Sequence, residues 1–438
     1  MVESVLVSLS LVLAILLVAN PIQAKPAENQ RISSNASTVI TSNVQTLPRT
    51  FILDSSLLAN ANQGVRNNNN NTILQASLKQ LIIQADLFLT KKATSVVEKT
   101  LMPANGNKHD YLSLSPYYWP DPTKPNGLPY IIHDGIVNPQ AHSIPDKQNL
   151  EDMIHRVRIL SLAYYFTDNP QYASKAVELL RVWFLDNGTR MNPDLLYAEM
   201  TPGKNNGSST GIMDAHNIPD IIDAIGLIQH SPLWTKQDQL DMQLWFSKYL
   251  NWLLNSDFGK KEAQAVNNHG TWYYVQASSI ALFLNKTDIA KNILESTMHN
   301  LIPQEIRPDG RQPFELRRTN SWDYSTFNLQ GLFELASIGL HVGVDLWNYK
   351  IHGAAKPLLH TALDYLLPYA LKTRAWAYPQ IALPMNTKSL SNLLCQATTH
   401  SYSKNNQVYI QSYKSLNIEK DIAINIDNLI YTCSSHLT

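Results

Sequence analysis

Apolar residues recur at three- and four-residue spacing along most of this chain, and alternation with period two is nearly absent. Residues 73–89, 149–167, 171–186, 217–229, 239–255, 271–285, 288–302, 328–343 and 355–367 each carry the helical pattern. Short connections such as TDNPQ (167–171) and NKTD (285–288) make neighbouring helices antiparallel. A long succession of helical hairpins predicts an all-α fold, either an open solenoid or a closed α/α toroid. No internal repeat of fixed length is present, which favours the toroid, an (α/α)n barrel of antiparallel hairpins.

Breaks in the pattern divide the chain. Residues 5–19, VLVSLSLVLAILLVA, read as the apolar core of a signal peptide with a cleavage site near Ala24–Lys25, so the mature protein is expected in the periplasm or outside the cell. The preceding residues hold Glu3 and no Lys or Arg, which leaves an uncleaved anchor open. Residues 25–49, polar and aperiodic, are expected to be a flexible leader, and 50–438 a single domain. The asparagine tract 67–71 is expected to be a solvated loop. Residues 110–140 and 189–211 are long, irregular and rich in Pro, Gly or aromatics, the kind of interruption that carries function in a helical domain.

The 35 basic and 35 acidic residues cancel, so no global field points to nucleic acid or a membrane surface. A polyanion would have to meet a local basic patch. The 13 histidines include no HExxH, and no phosphate-binding glycine loop or GxSxG occurs, so no metal or nucleotide cofactor is expected. Cys395 and Cys433 are the two cysteines, and their spacing leaves pairing open. The mature protein is expected to be a monomer.

NNHGTWYYVQ (267–276) opens an aromatic helix with two carboxamides, an imidazole and a glycine. A helix cap accounts for one of Asn267 and Asn268 and leaves the other, with His269, Trp272 and Tyr273, unexplained. Downstream, RPDGRQPFELRRTNSWDYSTFNL (307–329) sets Arg317 and Arg318 six or seven residues before Tyr324. NNHGTW followed by ELRRTNSWDYS, together with the loops YYWPDPTKPNGLPY and DGIVNP and the segment RMNPDLLYAEMTPG, resembles the alginate-lyase superfamily of α/α-toroid polysaccharide lyases, in particular its mannuronan and glucuronan branch. The resemblance spans roughly residues 50–385.

That resemblance implies cleavage of a 1,4-linked uronate by β-elimination: loss of the C5 proton, alpha to the carboxylate, and expulsion of the sugar on O4. Such chemistry needs donors that neutralise the carboxylate and stabilise the enolate-like dianion. Asn268 and Arg318 are the expected neutralisers, with Asn267 and Arg317 as near alternatives. Tyr324 is implied as base and acid for a mannuronate or glucuronate ring, whose C5 proton and O4 lie on one side. Its phenol, ordinarily titrating at about 10, must then be lowered by neighbouring cations. His269 is expected to hold Tyr324, help neutralise the carboxylate, or serve as base itself; a guluronate ring, with proton and O4 on opposite faces, would divide the roles between the two.

Tyr117, Tyr118 and Trp119 are candidates for a sugar-binding wall, or for a Pro-rich loop pinned by its own aromatics. Trp272, Tyr273, Tyr197 and His216 are further substrate-binding candidates, and Arg307, Arg311 and Lys204 either line a groove or face solvent. Two departures from the family pattern bear on substrate preference: Tyr274 where an acidic residue is expected, and LLYAE (195–199) where a more polar segment is typical. Two rival functions remain. A glycoside hydrolase on the same toroid would need paired carboxylates, for which Asp214, Glu315 and Asp323 are available. A non-catalytic glycan-binding protein would bind without turnover.

Overall fold

Two kinds of helix emerge from the one periodic pattern, and burial tells them apart. The computed structural model describes residues 47–67, 72–400, 406–417 and 425–431, all within one unit that begins at Leu47. The helices are α1 (Ser55–Arg66), α2 (Thr72–Leu89), α3 (Asp146–Thr167), α4 (Pro170–Leu180), α5 (Ile218–Ile228), α6 (Lys236–Asn255), α7 (Asp257–Glu262) and α8 (Asn268–Phe283). They continue as α9 (Thr287–Ser296), α10 (Ile302–Glu305), α11 (Pro313–Leu316), α12 (Ser321–Leu340), α13 (Leu358–Ala370), α14 (Leu390–Thr399) and α15 (Asn406–Leu416).

Helices α2, α3, α5, α8, α12 and α14 pack in succession as an inner ring, while α4, α6, α9 and α13 lie against it from outside. An inner helix touches protein on nearly every side, which is why α5 and α8 are buried almost all round. An outer helix such as α9 buries little more than Ala290 and Leu294 and keeps a polar face. The ring closes where the turn Ile426–Leu429 returns to α1 and α2, with the Asn428 amide donating to Ser77 Oγ at 3.0 Å. The fold is therefore an all-α toroid. Its inner helices enclose a polar cavity of about 290 Å³ lined by Glu151, Arg158, His216, Asp220 and Glu334.

Buried polar anchors hold the ring in register. Asp223 on α5 accepts the backbone N–H groups of Phe51, Ile52 and Leu53 at 2.6, 3.0 and 2.7 Å, pinning the entry segment. Lys99 and Asp146 form a wholly buried ion pair at 2.8 Å, and the same Asp146 oxygen, Oδ2, accepts Leu112 N at 3.0 Å. Two small strand pairs rise from the loops: β1 (Leu112–Leu114) runs parallel to β4 (Tyr197–Met200), and β2 (Tyr118–Trp119) antiparallel to β3 (Ile131–Ile132). They place the two irregular stretches side by side at one end of the toroid. Among the described residues no helix is long and apolar enough to cross a membrane. The expected signal peptide, most of the leader, most of the asparagine tract and Cys433 lie outside the described residues, whereas Cys395 is buried in α14.

Candidate active site

The site is built at the first turns of α8 and α12. Asn267 caps α8, its side-chain oxygen accepting His269 N at 3.3 Å. Gly270 follows because a Cβ there would stand 2.0 Å from the Ala265 carbonyl; the turn entering the helix leaves room only for hydrogen. His269 thereby faces α7, where its Nδ1 meets Glu262 Oε1 at 2.5 Å. With Nδ1–H donated to Glu262, Nε2 keeps the lone pair. Burial alone would lower the imidazole pKa, but the Glu262 carboxylate, with help from Glu199, outweighs it and raises the value above the usual range.

The helix carrying Tyr324 starts at Ser321, seven residues before the apolar periodicity shows itself, so Tyr324 sits in its first turn. The Tyr324 hydroxyl donates to the Tyr117 hydroxyl at 2.8 Å, and the Arg318 guanidinium carbon lies 3.7 Å from the centre of its ring. Arg318 in turn grips Asp134 with two hydrogen bonds, Nε at 3.1 Å and Nη2 at 2.6 Å, leaving donors on its outer edge. Asp134 also takes Thr319 N and Oγ1, so the 115–140 loop is tied to the start of α12. The expectation of a lowered Tyr324 pKa is reversed in the resting site. Burial, and then the Tyr117 hydroxyl, push it well above the ordinary phenol value; Arg318 pulls the other way but by less.

Several expected residues land elsewhere. Asn268 is 1 % exposed, and its amide nitrogen spans both oxygens of Glu315 at 3.1 and 3.0 Å while its backbone N–H adds a third bond at 2.8 Å. It clamps α8 to α11 and has no exposed donor to offer a ligand. Trp272 and Tyr273 are core residues: Trp272 stacks on Phe327 at 4.9 Å, and the Tyr273 hydroxyl donates to Leu253 O at 3.0 Å. Side chains so covered leave no face for a sugar. His216 packs edge-on to Trp272 and Phe327 and lines the interior cavity, where burial lowers its pKa to about 4. Arg317 turns outward over Phe314 at 4.7 Å. Trp119 donates to Ile136 O at 2.9 Å, pinning its own loop, while Tyr118 lies under Lys204 at 4.8 Å. Tyr197 is half-buried at the start of β4, paired with Leu112.

The structure adds groups that the sequence reading did not single out. Glu199 has a left-handed backbone, φ 51°, a conformation costing a non-glycine residue about 1–3 kcal/mol. Two serines of the β1 segment hold it there: Ser113 Oγ accepts Glu199 N at 2.8 Å, and Ser115 Oγ donates to Glu199 O at 2.7 Å. The strained backbone delivers the carboxyl to Thr210 Oγ1 at 2.5 Å, close enough to His269 to feel its charge. Burial, then Asp214, push Glu199 up to about 7. Behind it Lys147 pairs with Asp214 at 2.7 Å. Sequence offered one faint signal for these residues, the unusual Glu in LLYAE; Asp134 and Glu262 are ordinary acids until the fold brings them in.

The three carboxylates available for a hydrolase's pair are already engaged: Asp214 by Ser113 and Lys147, Glu315 by Asn268, and Asp323 by Gln380 Nε2 at 2.8 Å. Among the described residues no group of three or more His, Cys, Asp or Glu side chains is placed to hold a metal ion.

A helical toroid with a tyrosine, an arginine and a carboxylate-held histidine gathered at one end of its ring belongs to the polysaccharide lyases. More narrowly, the chain is a member of the alginate lyase family, whose model matches residues 95–376. An alginate lyase from Bacteroides ovatus is similar over 88 % of this chain and 99 % of its own, at 33 % identity and a TM-score of 0.82. Alginate lyase A1-III, known from Sphingomonas species A1, shares the fold at 15 % identity and a TM-score of 0.54 in a histidine-to-alanine variant complexed with tetrasaccharide. That match covers 88 % of this chain and 97 % of the other. No curated protein sequence matches the chain.

Proposed function

We propose that this lyase cleaves a 1,4-linked β-D-mannuronate or β-D-glucuronate polymer by β-elimination at Tyr324. The observation that carries the reading is the setting of that phenol, its hydroxyl on Tyr117 and its ring beneath the Arg318 guanidinium. The outward N–H groups of Arg318 and the Asn267 amide, rather than the clamped Asn268, neutralise the uronate carboxylate. Because the resting phenol is protonated, it must first give up its proton, and the Nε2 lone pair of His269 is the acceptor. Tyr324 then takes the C5 proton and returns it to O4 as the C4–O4 bond breaks and the C4–C5 double bond forms. On a guluronate ring the same pair would act from opposite faces, His269 as base and Tyr324 as acid.

Absorbance of the new double bond, followed on polymannuronate, polyguluronate and glucuronan in parallel, tests the reading. A rise on one of the first or last that vanishes in Tyr324→Phe is expected. New reducing ends without ultraviolet absorbance would instead identify a hydrolase, and binding without either signal a glycan-binding protein. We place the enzyme outside the cytoplasm on the strength of residues 5–24, and N-terminal sequencing of the mature protein, expected to begin at Lys25, checks that.

A further inference from the structure

Arg317 and Arg318 are adjacent, so their Cα atoms are about 3.8 Å apart, yet their side chains part company. Arg318 turns to Asp134 and Tyr324, and Arg317 turns to a separate open hollow of about 730 Å³. The floor of that hollow is apolar, formed by Pro308, Pro313 and Leu316, and Tyr378 makes a wall. Three guanidinium groups, of Arg307, Arg311 and Arg317, and one carboxylate, of Asp309, also line it.

The hollow is rigidly framed. The turn bearing Arg307 and Arg311 is closed by Arg307 N to Arg311 O and Gly310 N to Arg307 O, both 2.9 Å. Gly310, at φ 86°, sits where a Cβ would be 2.2 Å from the Thr361 carbonyl, so the turn is seated directly on α13. The Tyr378 hydroxyl shares a hydrogen bond with Tyr365 at 2.8 Å, which fixes the ring. Arg311 is paired with Asp309 at 2.7 Å, whereas Arg307 and Arg317 pair with no carboxylate among the described residues. In a chain whose total charge is zero, two unpaired guanidiniums over an apolar floor are a local anion-binding device. A pyranuronate has matching halves: a C–H face that packs on proline, leucine and phenol surfaces, and a carboxylate that accepts guanidinium N–H groups.

We propose that this hollow is a second binding site for the acidic polysaccharide, holding a uronate residue of the same chain that is cut at Tyr324, next door but outside the cleavage site. The proposal rests on the polyuronate-lyase reading for the identity of the ligand. It makes the enzyme tighter on polymer than on fragments too short to reach both places.

The test compares binding with turnover. In a Tyr324→Phe background, isothermal titration with polymannuronate and glucuronan gives Kd before and after Arg307→Gln/Arg317→Gln, which removes the charge and keeps the side chain polar. Losing two charge-assisted contacts is expected to weaken Kd by about ten-fold or more, with Arg307→Lys/Arg317→Lys recovering most of it. With Tyr324 intact, the glutamine pair should raise KM on polymer while KM on a trisaccharide stays put. An unchanged Kd overturns the proposal, as does an equal rise of both KM values, or a loss that lysine does not restore. Turnover by the unsubstituted protein is scored separately: its absence would sink the lyase reading, whereas the Kd comparison would still report on the hollow.

Discussion

Tyr324 meets two opposing demands, and its neighbours divide them. Burial and Tyr117 keep its proton on, while Arg318, stacked on the ring, makes the phenolate less costly once the proton has a place to go. Tyr324→Phe is therefore expected to lower kcat by about 10²–10⁴-fold while polymer binding persists, measured by ultraviolet turnover beside titration. In the proposed mechanism His269 sets the acid side of the pH profile. It must be neutral to accept a proton, and the Glu262 carboxylate raises its pKa, so activity falls with acidification through a value above about 6.5. Glu262→Gln removes the largest raising influence; the acid limb of kcat/KM should move to lower pH, with a lower plateau because the imidazole is less firmly oriented. A limb that stays in place would show that another group, with Glu199 foremost, controls it.

At the scale of elements, the toroid was legible because inner and outer helices both obey helical spacing. What escaped were the parts with too few apolar residues to show a period. Helix α1, ANANQG-rich, and the four-residue α11 show no pattern, and the period of α12 emerges only at residue 328 because SWDYSTF mixes polar and aromatic side chains at its true start. The same blindness affected the site. The motif singles out Tyr324, His269 and Arg318 as candidates, but motif letters do not say that Asn268 turns inward to Glu315 or that Trp272 is core. Loop attachment is equally invisible, and two predictions bear on it. Asp134→Ala frees Arg318 and unties the 115–140 loop; kcat/KM should fall about 10–100-fold, with thermal stability little changed. Asp223→Ala orphans three backbone N–H groups at once, and a loss of about 3 kcal/mol in urea unfolding is expected without a comparable loss of kcat.

For the molecule as a whole, buried acids decide how stability varies with pH. Burial raises Asp223 to about 7 and Glu305 and Glu334 to about 8, against about 4 in an unfolded chain. The folded state holds protons that the unfolded state has released, so their contribution to stability falls as pH rises from about 4 towards about 8. Carboxylates lowered by arginine, such as Asp134 and Asp238, act in the opposite sense below about 4, and histidines lowered by burial, His216 to about 4 foremost, do so between there and about 6.5, which leaves the acids unopposed only above that value. The melting temperature should therefore fall between about pH 6.5 and 8, and Glu305→Gln should flatten the decline.

The return of residues 426–429 to α2 has a consequence for how the chain can be cut and rejoined. A hoop already closed by packing does not depend on where its seam lies. A version with the ends near residues 47 and 431 bridged by a flexible tether, and a new opening between α8 and α9 at Asn285–Lys286, should assemble the same ring and keep its cleavage site. Deleting the last turn without supplying such a tether should instead leave the side of α2 that it covers bare and promote aggregation.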